Sequence, residues 1–293
     1  MSSFGVIVVD KPEGPTSHKV VSIVRRGTRV RKVGHAGTLD PRASGVLVLC
    51  LGPATRLSEY LSSSTKSYEA RIRFGESTET YDAEGATTSS AGEVPTEVQI
   101  ESALEMFRGE IQQVPPPYSA IKLQGRKAYE LAREGKPVKL DPRNVTVYEL
   151  TKLEYETPDL SVRVECSAGT YIRSLAHDLG QALSTGAHLS ALRRLRAGPF
   201  GLQDAVRLDE LQEAMRRGVW QTLVRPAAEA LPDLPIVTLE ETELQRIRNG
   251  LRIPSKDGAT GMARALDPGG ELVAILVSAE NGKEWQPRKV FLS

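Results

Sequence analysis

Residues 34–51 read GHAGTLDPRASGVLVLCL, a polar loop that leads into an unbroken apolar run. The run from Val46 to Leu51 has the length of a strand that is buried on both faces. Three glycines precede it, and Pro41 disfavours the helical conformation at Asp40. The sequence therefore predicts a stiff loop that presents one carboxylate at the mouth of a buried strand. Such loops often carry catalytic groups, although a turn-capping role for the carboxylate explains the same residues.

The composition is that of a well-filled globular protein. The 293 residues are 40% hydrophobic and 26% charged, which suits one large domain or a large and a small one. No apolar run approaches the length of a membrane span, and the apolar residues 6–9 meet Asp10, so we expect neither a membrane segment nor a signal peptide. The two cysteines lie in apolar runs and are expected to be buried thiols of a cytoplasmic protein. No Cys/His cluster has metal-ligand spacing, and we expect no metal.

The positive charges are unevenly distributed, although the net charge is only +1. Residues 14–39 contain six lysines and arginines and no acidic residue. A separated basic stretch is typical of a surface that contacts a polyanion. A solvated surface helix explains the same pattern, and the sequence leaves both interpretations open.

Periodicity predicts several elements. Thr16 or Ser17 is placed to cap a helix, and residues 96–99 have the form of a capping box. Strict alternation over residues 67–74 and 160–166 predicts half-buried strands. The second strand leads through a turn to a helix with Thr170 as its N-cap. Arg173 lies outside the apolar stripe that the helix is expected to bury. It is expected either to pair with a carboxylate or to face solvent.

Residues 226–235 contain three prolines and are interpreted as a linker. Beyond it, residues 239–250 are expected to form a short helix. Residues 262–266 and 272–277 flank a turn and are expected to form a hairpin.

The loop sequence resembles the signature of the TruB family of pseudouridine synthases. Two further motifs match the family in order, KSY at 66–68 and GTYIRSLA at 169–176, and the resemblance covers nearly the whole chain. It implies an α+β fold: a pseudouridine-synthase-like mixed, largely antiparallel sheet flanked by helices and loops, plus a small C-terminal PUA-like β-barrel. The implied domains are a catalytic domain over 1–230, with a flap insertion at about 115–145, and a PUA-like RNA-binding domain over 236–293.

The resemblance also implies roles for single residues. Asp40 would be the nucleophile, Arg173 its ion-pair partner, and Tyr68 would stack on the target base and assist proton transfer. The residues implied to bind the substrate base are His35, Tyr68, Tyr171 and Leu192. From the residues alone, a core aromatic is the favoured interpretation of Tyr68. Asp82 resembles a family position near the active centre, and a turn aspartate is the alternative.

Basic residues are expected to hold the RNA backbone. Around the predicted flap they alternate with Tyr118 and Tyr129, a combination that can grip phosphates and stack bases. The resemblance implies that this flap covers the RNA. The residues assigned to the RNA backbone are Lys19, Arg25, Arg126, Lys127, Arg193 and Arg194.

The implied reaction is isomerisation of the T-loop uridine, position 55 of tRNA, to pseudouridine after base flipping. It requires no redox step and no phosphate donor, so no cofactor is expected. The expected partner is the tRNA T-stem and loop, with no obligatory protein partner, no membrane and a monomeric, cytoplasmic protein. Two alternatives stay open: the catalytic subunit of a guide-RNA pseudouridylation particle, and a non-catalytic RNA-binding or tRNA-folding module.

Overall fold

The computed structural model describes residues 4–90, 93–123, 125–256, 258–280 and 282–291. The predicted outer domain boundaries, residues 1 and 293, lie outside these ranges. The α-helices are α1 (Ser17–Thr28), α2 (Ser58–Ser62), α3 (Glu97–Glu105), α4 (Ala128–Arg133), α5 (Ile172–Ala182), α6 (Leu208–Arg216) and α7 (Glu241–Arg248). Short 3-10 helices span Gly52–Leu57, Leu202–Asp204, Trp220–Leu223 and Ala227–Ala230.

The strands in the first half of the chain are β1 (Gly5–Lys11), β2 (Val33–His35), β3 (Ala43–Leu51), β4 (Lys66–Phe74), β5 (Glu76–Thr78), β6 (Thr87–Ser90), β7 (Gly109–Gln113), β8 (Lys122–Leu123) and β9 (Arg126–Lys127). Those in the second half are β10 (Arg143–Glu156), β11 (Asp159–Cys166), β12 (Ala187–Ala197), β13 (Phe200–Gly201), β14 (Val206–Arg207), β15 (Ile236–Thr238), β16 (Ile253–Pro254), β17 (Met262–Leu266), β18 (Leu272–Ser278) and β19 (Glu284–Val290). The chain folds into two compact units, Met1–Ser62 with Arg196–Ser293, and Ser63–Leu195.

The first unit is built on the predicted buried strand. β3 pairs antiparallel with β1 from Gly5 opposite Leu51 to Lys11 opposite Gly45. β2 pairs antiparallel with the end of β3, from Leu49 to Leu51, and β14 pairs parallel with β1. All six residues from Val46 to Leu51 are buried, as their unbroken apolar run predicts. The sheet therefore provides a rigid base for the loop that precedes β3.

Helix α1 begins at the end of the turn after β1. The side chain of Thr16 caps it by accepting a hydrogen bond from the Lys19 amide, as predicted. Its buried face consists mainly of valines, Val20, Val21 and Val24. On another side α1 approaches α6 closely, because a Cβ at Gly27 would lie 2.3 Å from the sulfur of Met215. A side chain at this position would therefore require the Met215 side chain to move.

The C-terminal part of the first unit is a curled five-stranded sheet in the order β15-β17-β18-β19-β16. The predicted hairpin is present as β17 and β18, and the predicted short helix as α7. Leu272, Ile275 and Phe291 of this part belong to one buried apolar cluster with residues of β1 and β3. The Arg56 guanidinium also donates to the Val290 carbonyl at 2.5 Å. The curled sheet is therefore packed firmly against the first strands.

The predicted linker over 226–235 is wrong in character. Its residues include the 3-10 helix Ala227–Ala230, and Ala227 and Ala230 are buried in the same apolar cluster. The prolines favour an extended segment, but the alanines between them pack against the apolar cluster that includes residues of β1 and β3. The burial of such side chains outweighs the loop-like composition.

The second unit contains a sheet in the order β7-β10-β11-β4-β12, in which the strands from β7 to β4 pair antiparallel. β4 and β11 pair along their whole length, from Lys66 opposite Cys166 to Arg73 opposite Asp159. Burial alternates along β4, as the sequence alternation predicts. Helix α3 has the predicted capping box at Thr96 and packs against α5.

The predicted α+β fold class, with a mixed and largely antiparallel sheet and a small curled C-terminal sheet, is confirmed. Within the described residues, no helix combines the length and the apolar character that crossing a membrane requires. The exact domain boundaries and the extent of the flap stay predictions.

Candidate active site

Lys11 holds the loop that carries Asp40. Its ammonium group is fully buried and donates to the carbonyl oxygens of Pro12 and Pro15, both at 2.9 Å, and of Pro41 at 3.2 Å. The Gly14 amide donates to the same Pro41 carbonyl at 2.9 Å. The residue after Asp40 is therefore anchored to the end of β1.

Ser17, the first residue of α1, anchors the residue before Asp40. Its buried hydroxyl donates to the Leu39 carbonyl at 2.9 Å and accepts from the Leu39 amide at 2.8 Å. The Asp40 carbonyl accepts from the Ala43 amide at 3.1 Å, which closes the turn into β3. The backbone on both sides of Asp40 is thus immobilised while its side chain is only half-buried. Part of the Asp40 side chain is therefore accessible on a loop whose backbone is held on both sides.

His35 stands in the same unit as this loop. It is the last residue of β2 and pairs with Leu49 of β3, and the following amide, that of Ala36, donates to the Val48 carbonyl at 2.9 Å. The ring is half-buried. β3 therefore positions both His35, through strand pairing, and Asp40, through the loop that enters the strand.

In the second unit, Tyr68 lies on β4 opposite Val164 of β11. Its side chain is 9% exposed. An aromatic ring at this burial fits a core position and also a platform with one accessible edge.

Tyr171 is held by an amide side chain that the sequence did not single out. The side chain of Gln113 accepts from the Tyr171 amide at 2.8 Å and donates to its carbonyl at 3.1 Å. Tyr171, not Thr170, is the N-cap of α5, so that prediction is wrong. The Thr170 hydroxyl donates to the Ser167 carbonyl at 2.9 Å instead, which closes the turn after β11.

Arg173 is buried, with 7% of its surface exposed, although the sequence placed it outside the buried stripe of its helix. One guanidinium nitrogen donates to the Thr80 carbonyl at 3.1 Å and lies 3.4 Å from a carboxylate oxygen of Asp82. The other donates to the Tyr118 carbonyl at 3.1 Å. The burial is possible because an opposite charge and two carbonyls compensate the lost hydration. The predicted carboxylate partner therefore exists within this unit and is Asp82.

Asp82 is itself fixed in orientation. Its other carboxylate oxygen accepts from the Thr80 hydroxyl at 2.6 Å and from the Glu84 amide at 3.0 Å. The next residue, Ala83, donates its amide to the Leu189 carbonyl at 3.1 Å. This loop therefore joins the Arg173 helix to β12, which also carries Leu192.

Leu192 and Arg193 are half-buried, whereas Arg194 is 1% exposed. The buried ammonium of Lys66 lies near Arg194, and its pKa is lowered to about 8, first by burial and then by the Arg194 charge. An enclosed guanidinium does not suit a direct contact with an RNA phosphate. The predicted backbone role therefore has no geometric support at Arg194, while Arg193 has some accessible surface.

The basic segment around Tyr118 and Tyr129 combines cations with aromatic rings, as its sequence indicates. Lys127 and Arg133 lie 5.4 Å and 5.6 Å from the centroid of the Tyr129 ring. Arg126 is exposed and forms an ion pair with Glu134. RNA phosphates would have to compete with this carboxylate for the guanidinium.

Lys11, Gln113 and the stacked pair Tyr81 and His177 are structural supports that the sequence did not reveal. Lys11 gave no local signal, because lysine is rarely fully buried. Gln113 had none, since its partner lies 58 residues away. Among the described residues, no group of three or more His, Cys, Asp or Glu side chains could hold a metal ion.

Comparison with known families matches this chain along most of its length. The model of the TruB family pseudouridylate synthase N-terminal domain covers residues 25–172. Models of the tRNA pseudouridylate synthase B C-terminal domain and of the tRNA pseudouridine synthase II C-terminal domain cover residues 173–241 and 234–292. The fold, the Asp40 loop and these matches define a pseudouridylate synthase, an isomerase.

The chain belongs to the TruB family, and the resemblance drawn from its motifs is confirmed. It is 48% identical over 276 residues to the tRNA pseudouridine synthase B of Solibacter usitatus, covering 92% of this chain and 94% of that protein. The protein of the same name from Dehalococcoides mccartyi is 42% identical over 290 residues, covering 99% and 97%. Among solved structures, a Cbf5–Nop10–Gar1 complex superposes with a TM-score of 0.77 at 31% identity, covering 99% of this chain and 85% of that one.

Proposed function

We propose that this protein isomerises the T-loop uridine at position 55 of tRNA to pseudouridine, with Asp40 as the nucleophile. The relatives named tRNA pseudouridine synthase B match nearly the full chain and support tRNA as the substrate. The observation that carries the assignment of Asp40 is its anchored loop. Lys11 and Ser17 immobilise the residues on both sides of a half-buried carboxylate.

The reaction rearranges one nucleoside without an external reagent. The bond between the sugar C1′ and uracil N1 breaks, the base rotates, and a C1′–C5 bond forms. The proton on C5 is lost and a proton is gained at N1, so atoms and charge balance. The carboxylate of Asp40 would act as a covalent nucleophile, at the sugar C1′ or the ring C6.

Arg173 is proposed to place its positive charge beside the nucleophile, in addition to its contacts with Asp82, Thr80 and Tyr118. A guanidinium has five N–H donors, so one group can serve several acceptors at once. The charge would stabilise the carboxylate of Asp40 electrostatically. Asp82 would then act as a positioning residue, because it orients the guanidinium.

The target base has to leave the folded loop, which costs a few kcal/mol. We propose that Tyr68, Tyr171 and Leu192 line its pocket and that His35 helps fill the vacated space. The Gln113 amide supports this assignment for Tyr171, since it fixes the backbone that carries the ring. The cations proposed to contact the backbone of the RNA are Lys19, Arg25, Arg126, Lys127 and Arg193.

The test is tritium release from a tRNA transcript labelled at uridine C5, with wild type, Asp40→Asn and Arg173→Lys. Wild type should release tritium, Asp40→Asn should release none while it still binds tRNA, and Arg173→Lys should be strongly impaired. An ammonium cannot reproduce the planar fork that serves the contacts of Arg173. Turnover near wild type in Asp40→Asn would remove the nucleophile assignment.

A guided particle is the second candidate, because one structural neighbour is titled as an H/ACA RNP bound to a substrate RNA. We favour the stand-alone enzyme, since the relatives at 42–48% identity are named tRNA pseudouridine synthase B. We propose that it acts as a cytoplasmic monomer. The purified chain should act on bare tRNA without a guide RNA. Activity that appears only with a guide RNA would establish the other candidate.

A further inference from the structure

The C-terminal end of α1 and the turn after it carry a dense group of exposed cations. We call this group the α1 basic surface; it consists of Arg25, Arg26, Arg29, Arg31 and Lys32, all exposed. Within the described residues none of the five forms an ion pair, whereas exposed cations elsewhere, such as Arg73 and Arg207, are paired with carboxylates. This surface therefore keeps its positive charge available.

The position of the surface relative to the nucleophile loop is set by the helix. Ser17, the first residue of α1, is hydrogen-bonded to Leu39 in that loop. The helix has 12 residues, and a rise of 1.5 Å per residue places its far end about 18 Å away. Arg29 ends the helix in the left-handed conformation, with φ at 60°, and turns the chain back towards β2. The end of the helix is thus separated by about 18 Å from Ser17, the residue that anchors the Asp40 loop.

Helix capping does not explain the whole group. Cations in the last turn of a helix interact favourably with its dipole, and Arg25 and Arg26 occupy that turn. Arg31 and Lys32 lie beyond the helix, and the effect falls off within one turn. In a protein with net charge +1, five adjacent cations repel one another and suit a polyanionic partner.

We propose that the α1 basic surface binds phosphates of the substrate RNA that lie remote from the target uridine. At one phosphate per 3.4 Å along a strand, a distance of about 18 Å corresponds to about five phosphates. These contacts supply affinity and orientation without reading sequence. The proposal rests on the proposed function, because it takes the bound RNA to be the substrate of Asp40.

The distance makes the proposal testable by substrate length. A T-loop hairpin closed by two base pairs supplies only about two stem phosphates per strand, fewer than the five that the distance requires, whereas full-length tRNA extends well beyond the surface. The test variant is Arg26→Gln/Arg29→Gln/Arg31→Gln. Its control is Arg71→Gln/Arg73→Gln/Arg207→Gln, which removes the same number of charges from arginines that pair with carboxylates.

Binding of both RNAs is measured over a range of salt concentrations. For full-length tRNA, the test variant should raise the Kd about tenfold and reduce the slope of log K against log salt by about 2 to 3. For the hairpin, the Kd should change less than twofold, and the control variant should bind both RNAs as wild type does. The variant Arg26→Lys/Arg29→Lys/Arg31→Lys should keep most of the wild-type affinity, since these phosphate contacts require the positive charge rather than the planar guanidinium group.

Wild-type affinity and salt slope of the test variant for tRNA would overturn the proposal. An equal loss for hairpin and tRNA would overturn it too, because the contacts would then lie within the short stem. Failure of the proposed function is read separately: wild type would bind tRNA with the same length dependence but release no tritium from uridine C5.

Discussion

The ring of Tyr81 lies flat on the imidazole of His177, with centroids 3.8 Å apart and planes inclined by 6°. Tyr81 adjoins Asp82 in the chain, and His177 lies one helical turn after Arg173 on α5. The stack therefore ties the loop that orients Arg173 to the helix that carries it. Tyr81 adopts a positive φ of 62°, which is rare for an aromatic residue.

Removing the stack should weaken both stability and catalysis. Tyr81→Ala should lower the free energy of unfolding by about 1–3 kcal/mol through lost ring contacts, and it should reduce kcat by loosening Asp82 and Arg173. Tyr81→Phe should retain both properties, since the ring stays. Urea unfolding and tritium release measure the two effects.

The matched control for this change is Tyr148→Ala, since 59% of Tyr148 is exposed. That variant should unfold within about 0.5 kcal/mol of wild type. Equal stability losses in Tyr81→Ala and Tyr148→Ala would contradict a structural role of the stack.

Asp178 should make stability depend on pH. Burial raises its pKa from 3.8 to about 6, so the folded state holds this proton more tightly than the unfolded state. The carboxyl therefore destabilises the fold increasingly as the pH rises from about 4 to 6, and the penalty stays constant above that. Asp178→Asn should stabilise the protein by about 1–2 kcal/mol at pH 8 and by little at pH 4. This free energy is smaller than a pKa shift of about two units would give for a fully buried group, because Asp178 is partly exposed.

Thermal melts at both pH values check this prediction. Asp209→Asn is the control, because its pairing with Arg207 lowers the pKa of Asp209 and its removal should not stabilise the fold at pH 8. A gain from Asp178→Asn that is as large at pH 4 as at pH 8 would show that ionisation is not its cause.

Asp82→Asn should impair catalysis more than folding. The guanidinium of Arg173 would keep its two carbonyl acceptors but lose the charge that orients it, so kcat should fall at least tenfold while tRNA affinity changes little. Single-turnover tritium release, together with tRNA binding, separates the two effects. Asp159→Asn, which pairs with the exposed Arg71 and Arg73, should retain wild-type kcat. A loss confined to tRNA affinity would argue against a positioning role.

Lys11→Met should destabilise the first unit strongly. The carbonyls of Pro12, Pro15 and Pro41 would lose the charged donor that they share, which costs about 3 kcal/mol in the free energy of unfolding. Lys256→Met removes an exposed ion pair with Glu240 and should leave the unfolding midpoint close to that of wild type. Denaturant unfolding of both variants provides the comparison, and similar midpoints would contradict the anchoring role of Lys11.

Local patterns predicted the elements whose determinants lie close together in the chain. The cap at Thr16, the capping box at Thr96 and the alternating strand β4 all depend on residues within a few positions of one another. The composition of residues 226–235 predicts a linker, but the alanines of this segment are buried by residues far away in the sequence. The sequence predicts Thr170 as the N-cap of α5, but the N-cap is Tyr171, whose backbone is held by Gln113 of β7.

The sequence by itself determined the buried strand β3 and the loop with Asp40, because unbroken apolar runs, glycines and a proline restrict the backbone locally, and its three motifs carried the resemblance to the family. Only the tertiary structure decided that Arg173 is buried against Asp82, that Lys11 holds the Asp40 loop and that the five cations of the α1 basic surface have no ion-pair partner among the described residues. Burial and charge compensation depend on which distant segments meet. These contacts join residues that are far apart in the sequence, so they form only when the chain folds.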